Sequence, residues 1–170
     1  VLAAWYCYAA ASRDLQLAEL STLYFSAPVL VTLLAIPVLG EKVGLLQWLA
    51  IGCGFAGVVC AADPTSISLS LATGLVLLAA LLWAIAILMI RKVALSEETM
   101  VQMVYSNGVF VVLGGIMAAV SGPAPEWSDL GIIVILGFVA SLAQFTFFEA
   151  MRHAPASVLA PLEYSSMIWA

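Results

Sequence analysis

Residues 71–92 read LATGLVLLAALLWAIAILMIRK. From Leu71 to Ile90 there is no charged residue, and the run stops at the pair Arg91-Lys92. About 20 residues rising 1.5 Å each cross the ~30 Å hydrocarbon core of a bilayer. The stretch therefore predicts a membrane-spanning helix that ends at a polar boundary. Working outward, the same test predicts spans at Leu17 to Leu39, Gly44 to Ala62, Met100 to Val120 and Leu130 to Met151. Val1 to Ala11 reads as the tail of a span and Pro155 to Ala170 as the start of one. The connections are short: Ser12–Gln16, Gly40–Val43, Asp63–Ser70, Arg91–Thr99, Ser121–Asp129 and Arg152–Ala154. Every charged residue except Glu19, Glu149 and Glu163 lies in one of them. The fold class expected is all-α, a polytopic transmembrane helix bundle.

Composition agrees. The chain is 65% hydrophobic and 9% charged, with a mean hydropathy of +1.16. Soluble domains are about 45–50% apolar and about 25% charged. No soluble core hides this much apolar surface, so lipid must cover much of it. Five basic residues in all, with a net charge of -5, exclude a nucleic-acid surface. Three cysteines in apolar runs form no disulfide framework. Both ends fall inside apolar stretches, so a truncated chain is expected. No basic segment precedes an apolar core, as a signal peptide requires.

Lys and Arg set the orientation. The first, third and fifth connections contain Arg13 as their only basic residue, whereas the second, fourth and sixth contain Lys42, Arg91, Lys92 and Arg152. The even-numbered side is expected to be cytoplasmic.

A shift of 139 aligns the two ends of the chain. It pairs Ala4 with Ala143, Ala11 with Ala150, Arg13 with Arg152, Leu20 with Leu159, Leu23 with Leu162 and Ser26 with Ser165. Aromatic residues pair at Tyr6/Phe145, Tyr8/Phe147 and Phe25/Tyr164. Five spans, an odd number, separate the copies, so they enter the membrane from opposite sides. Inverted repeats of this kind underlie alternating access in many secondary transporters. Five-helix repeats imply a ten-helix parent of which this chain is a fragment.

These residues resemble a known family. Leu17-Ala18-Glu19, Ser26-Ala27-Pro28-Val29, Leu39-Gly40-Glu41-Lys42-Val43-Gly44, Trp48 and Gly54-Phe55-Ala56-Gly57-Val58 look like the first EamA domain of the drug/metabolite transporter superfamily. Arg152-His153-Ala154-Pro155-Ala156-Ser157, Ala160-Pro161-Leu162, Tyr164 and Trp169-Ala170 look like the start of the second. The resemblance implies two inverted five-helix halves, cytoplasmic termini, and movement of metabolites, amino acids or drugs without ATP hydrolysis. It divides the chain into residues 1–62, the C-terminal part of the first EamA repeat with three spans, the first truncated. Residues 71–170 are then the second repeat, with four spans, the last truncated.

Glu163 is the most informative residue. It lies about 12 Å into the last span, where a lipid-facing carboxylate costs several kcal/mol. It must face a cavity or a partner, as a proton-coupling or substrate-amine site or as a hydrogen-bonded packing group. Trp83, Gln144 and Asn107 fall at a similar depth on three other spans, about 10–13 Å from their cytoplasmic ends. Such a layer predicts a cavity near the midplane, although each residue alone is more often an interhelical hydrogen bond. Tyr24 and Tyr164 are candidates for lining the same path, with Ser26, Tyr105 and Ser165; for each, packing is the competing role. Pro28 and Pro161 remove backbone donors inside spans and free carbonyls. Glu149, three residues before Arg152, predicts a local ion pair. Glu41-Lys42 reads as a polar turn that pins helix ends.

Two motifs mislead. Gly52-Cys53-Gly54-Phe55-Ala56-Gly57 matches GxGxxG, but that motif binds dinucleotides only between a strand and a helix. Within a membrane span it reads as close packing through small residues. His153 stands alone in a loop, so no metal site is expected, and neither a cofactor nor a catalytic set is evident. The function expected is a secondary transporter of the cytoplasmic (inner) membrane, coupled to protons through Glu163. The competing readings are a non-transporting scaffold or lipid-handling protein and, further behind, an intramembrane enzyme. The partners expected are the lipid bilayer and a small-molecule solute, with no nucleic acid; a homodimer is compatible but not required.

Overall fold

The computed structural model describes residues 1–61, 70–121 and 128–168. Parts of the connections expected at 63–70 and 121–129, and the final Trp169-Ala170, lie outside them. Among the described residues the chain is helical with no strand. Helices α1 (Leu2–Ala11), α2 (Leu17–Tyr24), α3 (Ala27–Leu39), α4 (Leu45–Ala61), α5 (Leu71–Ala94), α6 (Thr99–Ser121), α7 (Leu130–His153) and α8 (Ala156–Leu159) follow in order. A 3-10 helix, Ala160–Ile168, continues α8. Four stretches are long and apolar enough to cross a membrane: Leu17–Leu39, Leu71–Ala94, Thr99–Ile116 and Leu130–His153. Large apolar side chains such as Leu46, Leu71, Val111, Val134 and Phe138 stay exposed, which suits a lipid-facing surface.

Two expected spans are not uniform helices. Leu17 to Leu39 divides at Phe25-Ser26 into α2 and α3. The cause is Pro28, at the start of α3. It has no N–H to donate to the carbonyl of Tyr24, and its ring crowds that oxygen. The last span is α-helical for four residues and then tightens into the 3-10 form around Pro161. At about 2 Å per residue in that stretch, Glu163 lies about 14 Å from the start of α8.

The chain forms two compact units, residues 1–92 with 154–170, and residues 93–153. In the first, Ala11, Leu20, Ala72 and Val76 make a core that joins α1, α2 and α5, with Tyr8 and Tyr24 packed against it. Helix α3 packs on α8 and on the 3-10 helix, which also contacts α4. Buried Ala27, Ala35, Ala156 and Ala160 allow these backbones to approach closely. Helix α3 ends at Gly40, whose φ of 67° is left-handed, a conformation that a side chain would strain. The chain then re-enters α4, whose first turn is closed by Gln47 Oε1 accepting the Gly44 N–H at 2.6 Å.

In the second unit α6 packs against α7. The Thr99 hydroxyl donates to Glu149. Arg152 Nη1 lies 3.5 Å from the same carboxylate, the ion pair expected from the spacing.

Some positions 139 apart behave alike, although α2 stays α-helical where its counterpart tightens into the 3-10 form. Gln16 and Pro155 precede α2 and α8 in the same extended conformation, with ψ of 149° and 145°. The Ser26 hydroxyl donates to the Leu23 carbonyl at 2.7 Å, and the Ser165 hydroxyl to the Leu162 carbonyl at 2.6 Å. Two equivalent positions also touch: the Tyr164 hydroxyl donates to the Phe25 carbonyl at 3.2 Å.

Candidate functional site

Helix α1 carries Trp5 and Tyr8 three residues apart, hence on one face. Tyr8 meets Tyr24 of α2 edge to face, with ring centroids 5.1 Å apart, and Trp5 meets Tyr8 the same way at 6.5 Å. Such contacts favour a rigid aromatic wall. With Ala4 and Trp83 of α5 these rings line a cavity of about 260 Å³. A dry cavity of ~150 Å³ holds benzene, so this one has room for roughly a two-ring system.

Glu163 stands next to this cavity. Its carboxylate is faced by the indole of Trp83, one of the lining residues. The expected cost of a carboxylate at this depth is thus offset in part by a neighbouring donor. By the 139-residue shift Glu163 is the counterpart of Tyr24, which also lines the cavity. The break after Tyr24 lies at the end of an eight-residue helix, about 12 Å along its axis. An aromatic wall, a carboxylate and an interrupted helix therefore come together in the first unit.

Tyr164 follows Glu163 and packs beside Phe25, with ring centroids 6.0 Å apart. Its ring lies on Gly54 of α4, where an added Cβ would overlap it. Close packing through a small residue, expected of the Gly52–Gly57 stretch, is found at Gly54 alone; Gly52 and Gly57 have no neighbour where a Cβ would stand. Asn107 and Gln144 are half-buried on α6 and α7 of the second unit. Ser26 and Ser165 spend their hydroxyls on local carbonyls, and Tyr105 is exposed.

The sequence reading did not select Trp5 or Tyr8. All faces of Leu2–Ala11 are apolar, so its rotation is not readable from periodicity. The one available signal was their i, i+3 spacing. The chemistry on offer is recognition: flat rings can stack on aromatic faces, while a carboxylate faced by an indole N–H meets donors or positive charge.

Residues 1–62 match the EamA-like transporter family. The chain is 27% identical to a riboflavin transporter of Vibrio cholerae over 130 residues, 76% of this chain and 44% of that protein. It is 28% identical to a riboflavin transporter of Rhizobium johnstonii over 142 residues, 83% of this chain and 47% of that protein. It is 26% identical to an S-adenosylmethionine uptake transporter of Rickettsia bellii over 144 residues, 85% of this chain and 50% of that protein. The chain spans about half the length of the curated relatives it matches. No solved structure matches it. Residues 1–62, which hold α1 to α4, are thus similar to the EamA-like transporter family, and with four stretches long and apolar enough to cross a membrane the chain is a multi-pass integral membrane protein.

Proposed function

We propose that the chain is part of a secondary transporter of the cytoplasmic membrane that moves a small metabolite by alternating access between inverted repeats. The solute carries a fused nitrogen heterocycle. That ring stacks in the cavity of Trp5, Tyr8, Tyr24 and Trp83, and its N–H or cationic edge is presented to Glu163. The observation that carries this reading is that Trp83, on the wall of the aromatic cavity, also faces the Glu163 carboxylate.

The relatives named as riboflavin and S-adenosylmethionine transporters support it, since both solutes contain such a ring. They also support transport over catalysis. The matching conformations and hydrogen bonds at positions 139 apart support the inverted repeat. On that repeat the boundaries stay at residues 1–62 and 71–170. Tyr164 supports the wall next to Glu163. Gln144 enters as the counterpart of Trp5, and Asn107 as a polar group of similar depth.

The test is uptake of labelled riboflavin and labelled S-adenosylmethionine by vesicles containing the full-length parent, with and without a pH gradient. Flux of either solute that Glu163→Gln abolishes is the expected result. A loss of the pH-gradient dependence alone would assign Glu163 to coupling and leave the ring to the aromatic wall. Absence of flux for both solutes with folded protein would overturn the reading.

A further inference from the structure

Glu41 lies in the Gly-Glu-Lys turn between α3 and α4, yet its carboxylate is committed far from there. Oε1 accepts the Ala156 N–H at 2.9 Å, and Oε2 accepts the Ser157 N–H at 3.0 Å and the Ser157 hydroxyl at 2.6 Å. Arg91 Nε, at the end of α5, lies 3.8 Å from Oε1. The Glu41 and Arg91 side chains are 11% and 13% exposed. Pro155, which precedes α8, has no side-chain acceptor for the first N–H groups of that helix. A residue more than a hundred positions away supplies it.

The cluster joins the second and fourth connections to the start of α8, just past the sixth, so it lies on the side to which the basic residues assign the cytoplasm. It also crosses the repeat. Glu41 belongs to the first copy, whereas Arg91, Ala156 and Ser157 belong to the second. No part of this cluster reaches the aromatic cavity.

We propose that Glu41 is a cytoplasmic latch: its bonds to Ala156, Ser157 and Arg91 hold the two copies together when access from the cytoplasm is closed, and they release when it opens. The inference rests on the transport reading above. Charge-assisted hydrogen bonds are about twice as strong as neutral ones, so three in one place bias the closed state. At the membrane boundary, water replaces the donors as the contact parts, which keeps release reversible. A ligand of either state then shifts a balanced equilibrium.

The experiment uses the full-length parent with Cys7, Cys53 and Cys60 replaced by alanine and Ala4→Cys as a reporter in the cavity. A membrane-impermeant maleimide is applied from each side of oriented vesicles. Glu41→Gln should speed labelling from the cytoplasmic side about tenfold and slow it from the other. Equal side-resolved rates in the parent and in Glu41→Gln would overturn the latch. A second arm does not depend on that variant folding well. Glu41→Cys with Ser157→Cys is bridged by a short, reducible bifunctional thiol reagent. Bridging should cut cytoplasmic labelling and solute flux at least tenfold, with recovery on reduction; undiminished labelling and flux in the bridged protein would overturn the proposal. If the unbridged parent moves no solute, the transport reading fails, while the labelling rates still decide whether Glu41 governs access.

Discussion

The Ser157 hydroxyl donates to Glu41 at 2.6 Å, across 116 residues of chain. It is one of three donors on that carboxylate, and the other two are backbone N–H groups that no side-chain substitution removes. Ser157→Ala should therefore cost about 1 kcal/mol of stability. Glu41→Ala strands two backbone donors and removes the ion pair with Arg91, and should cost about 3 kcal/mol. Thermal unfolding of the purified full-length protein in detergent checks the ranking, and a larger loss for Ser157→Ala would contradict it.

Trp83→Phe keeps an aromatic ring but deletes the indole N–H that faces Glu163. A hydrogen bond to a charged group contributes about 1.5–3 kcal/mol. The solute Kd is expected to rise by about tenfold or more, with the protein still folded. Equilibrium binding of labelled solute measures this; an unchanged Kd would mean that Glu163 is positioned by other groups.

Trp5 and Trp83 both line the cavity. A flat heterocycle that enters it should quench tryptophan fluorescence on titration. Tyr24→Ala removes the edge-to-face partner of Tyr8 and one wall. An aromatic pair contributes about 0.5–1.5 kcal/mol beyond its area, so affinity should drop several-fold at least. Quenching that is indifferent to Tyr24 would place the ring elsewhere.

Gly54→Ala puts a methyl group where the Tyr164 ring lies. Overpacking of this sort costs about 1–3 kcal/mol. The double variant with Tyr164→Ala should recover part of that loss, because the overlapping ring is gone. A double-mutant cycle on melting temperature detects the coupling, and simple additivity would argue that Tyr164 does not rest on Gly54.

Arg152→Gln breaks the ion pair with Glu149, but both side chains are more than a third exposed. Exposed pairs contribute little. No measurable change in melting temperature or flux is expected, so a clear loss in either would give Arg152 a role beyond this pair.

The spans were legible because an apolar run of about 20 residues has few other meanings. The break near Tyr24 was legible through Pro28, since a missing N–H leaves a mark in any helix. Trp83 and Glu163 could be selected by depth, because rise per residue converts position into distance from the boundary, but the same argument selected Asn107 and Gln144, which lie in the second unit. Trp5 and Tyr8 could not, as a helix apolar on every face hides its rotation. The tightening of Ala160–Ile168 into the 3-10 form was not read from Pro161 beforehand. The Glu41 contacts were hidden for another reason: their partners are backbone groups of Ala156 and Ser157, which every sequence contains and none advertises.

The bond from Tyr164 to Phe25 has one more consequence. On the inverted-repeat reading these are the same position in the two copies, so the pair sits on the symmetry axis that relates them. The two rings lie side by side, yet the bond runs one way only, because Phe25 has no hydroxyl to return. At this pair the copies are equivalent in place and unequal in chemistry. On that reading Tyr164→Phe would make the pair symmetric, and any difference it causes would measure what the missing partner hydroxyl is worth.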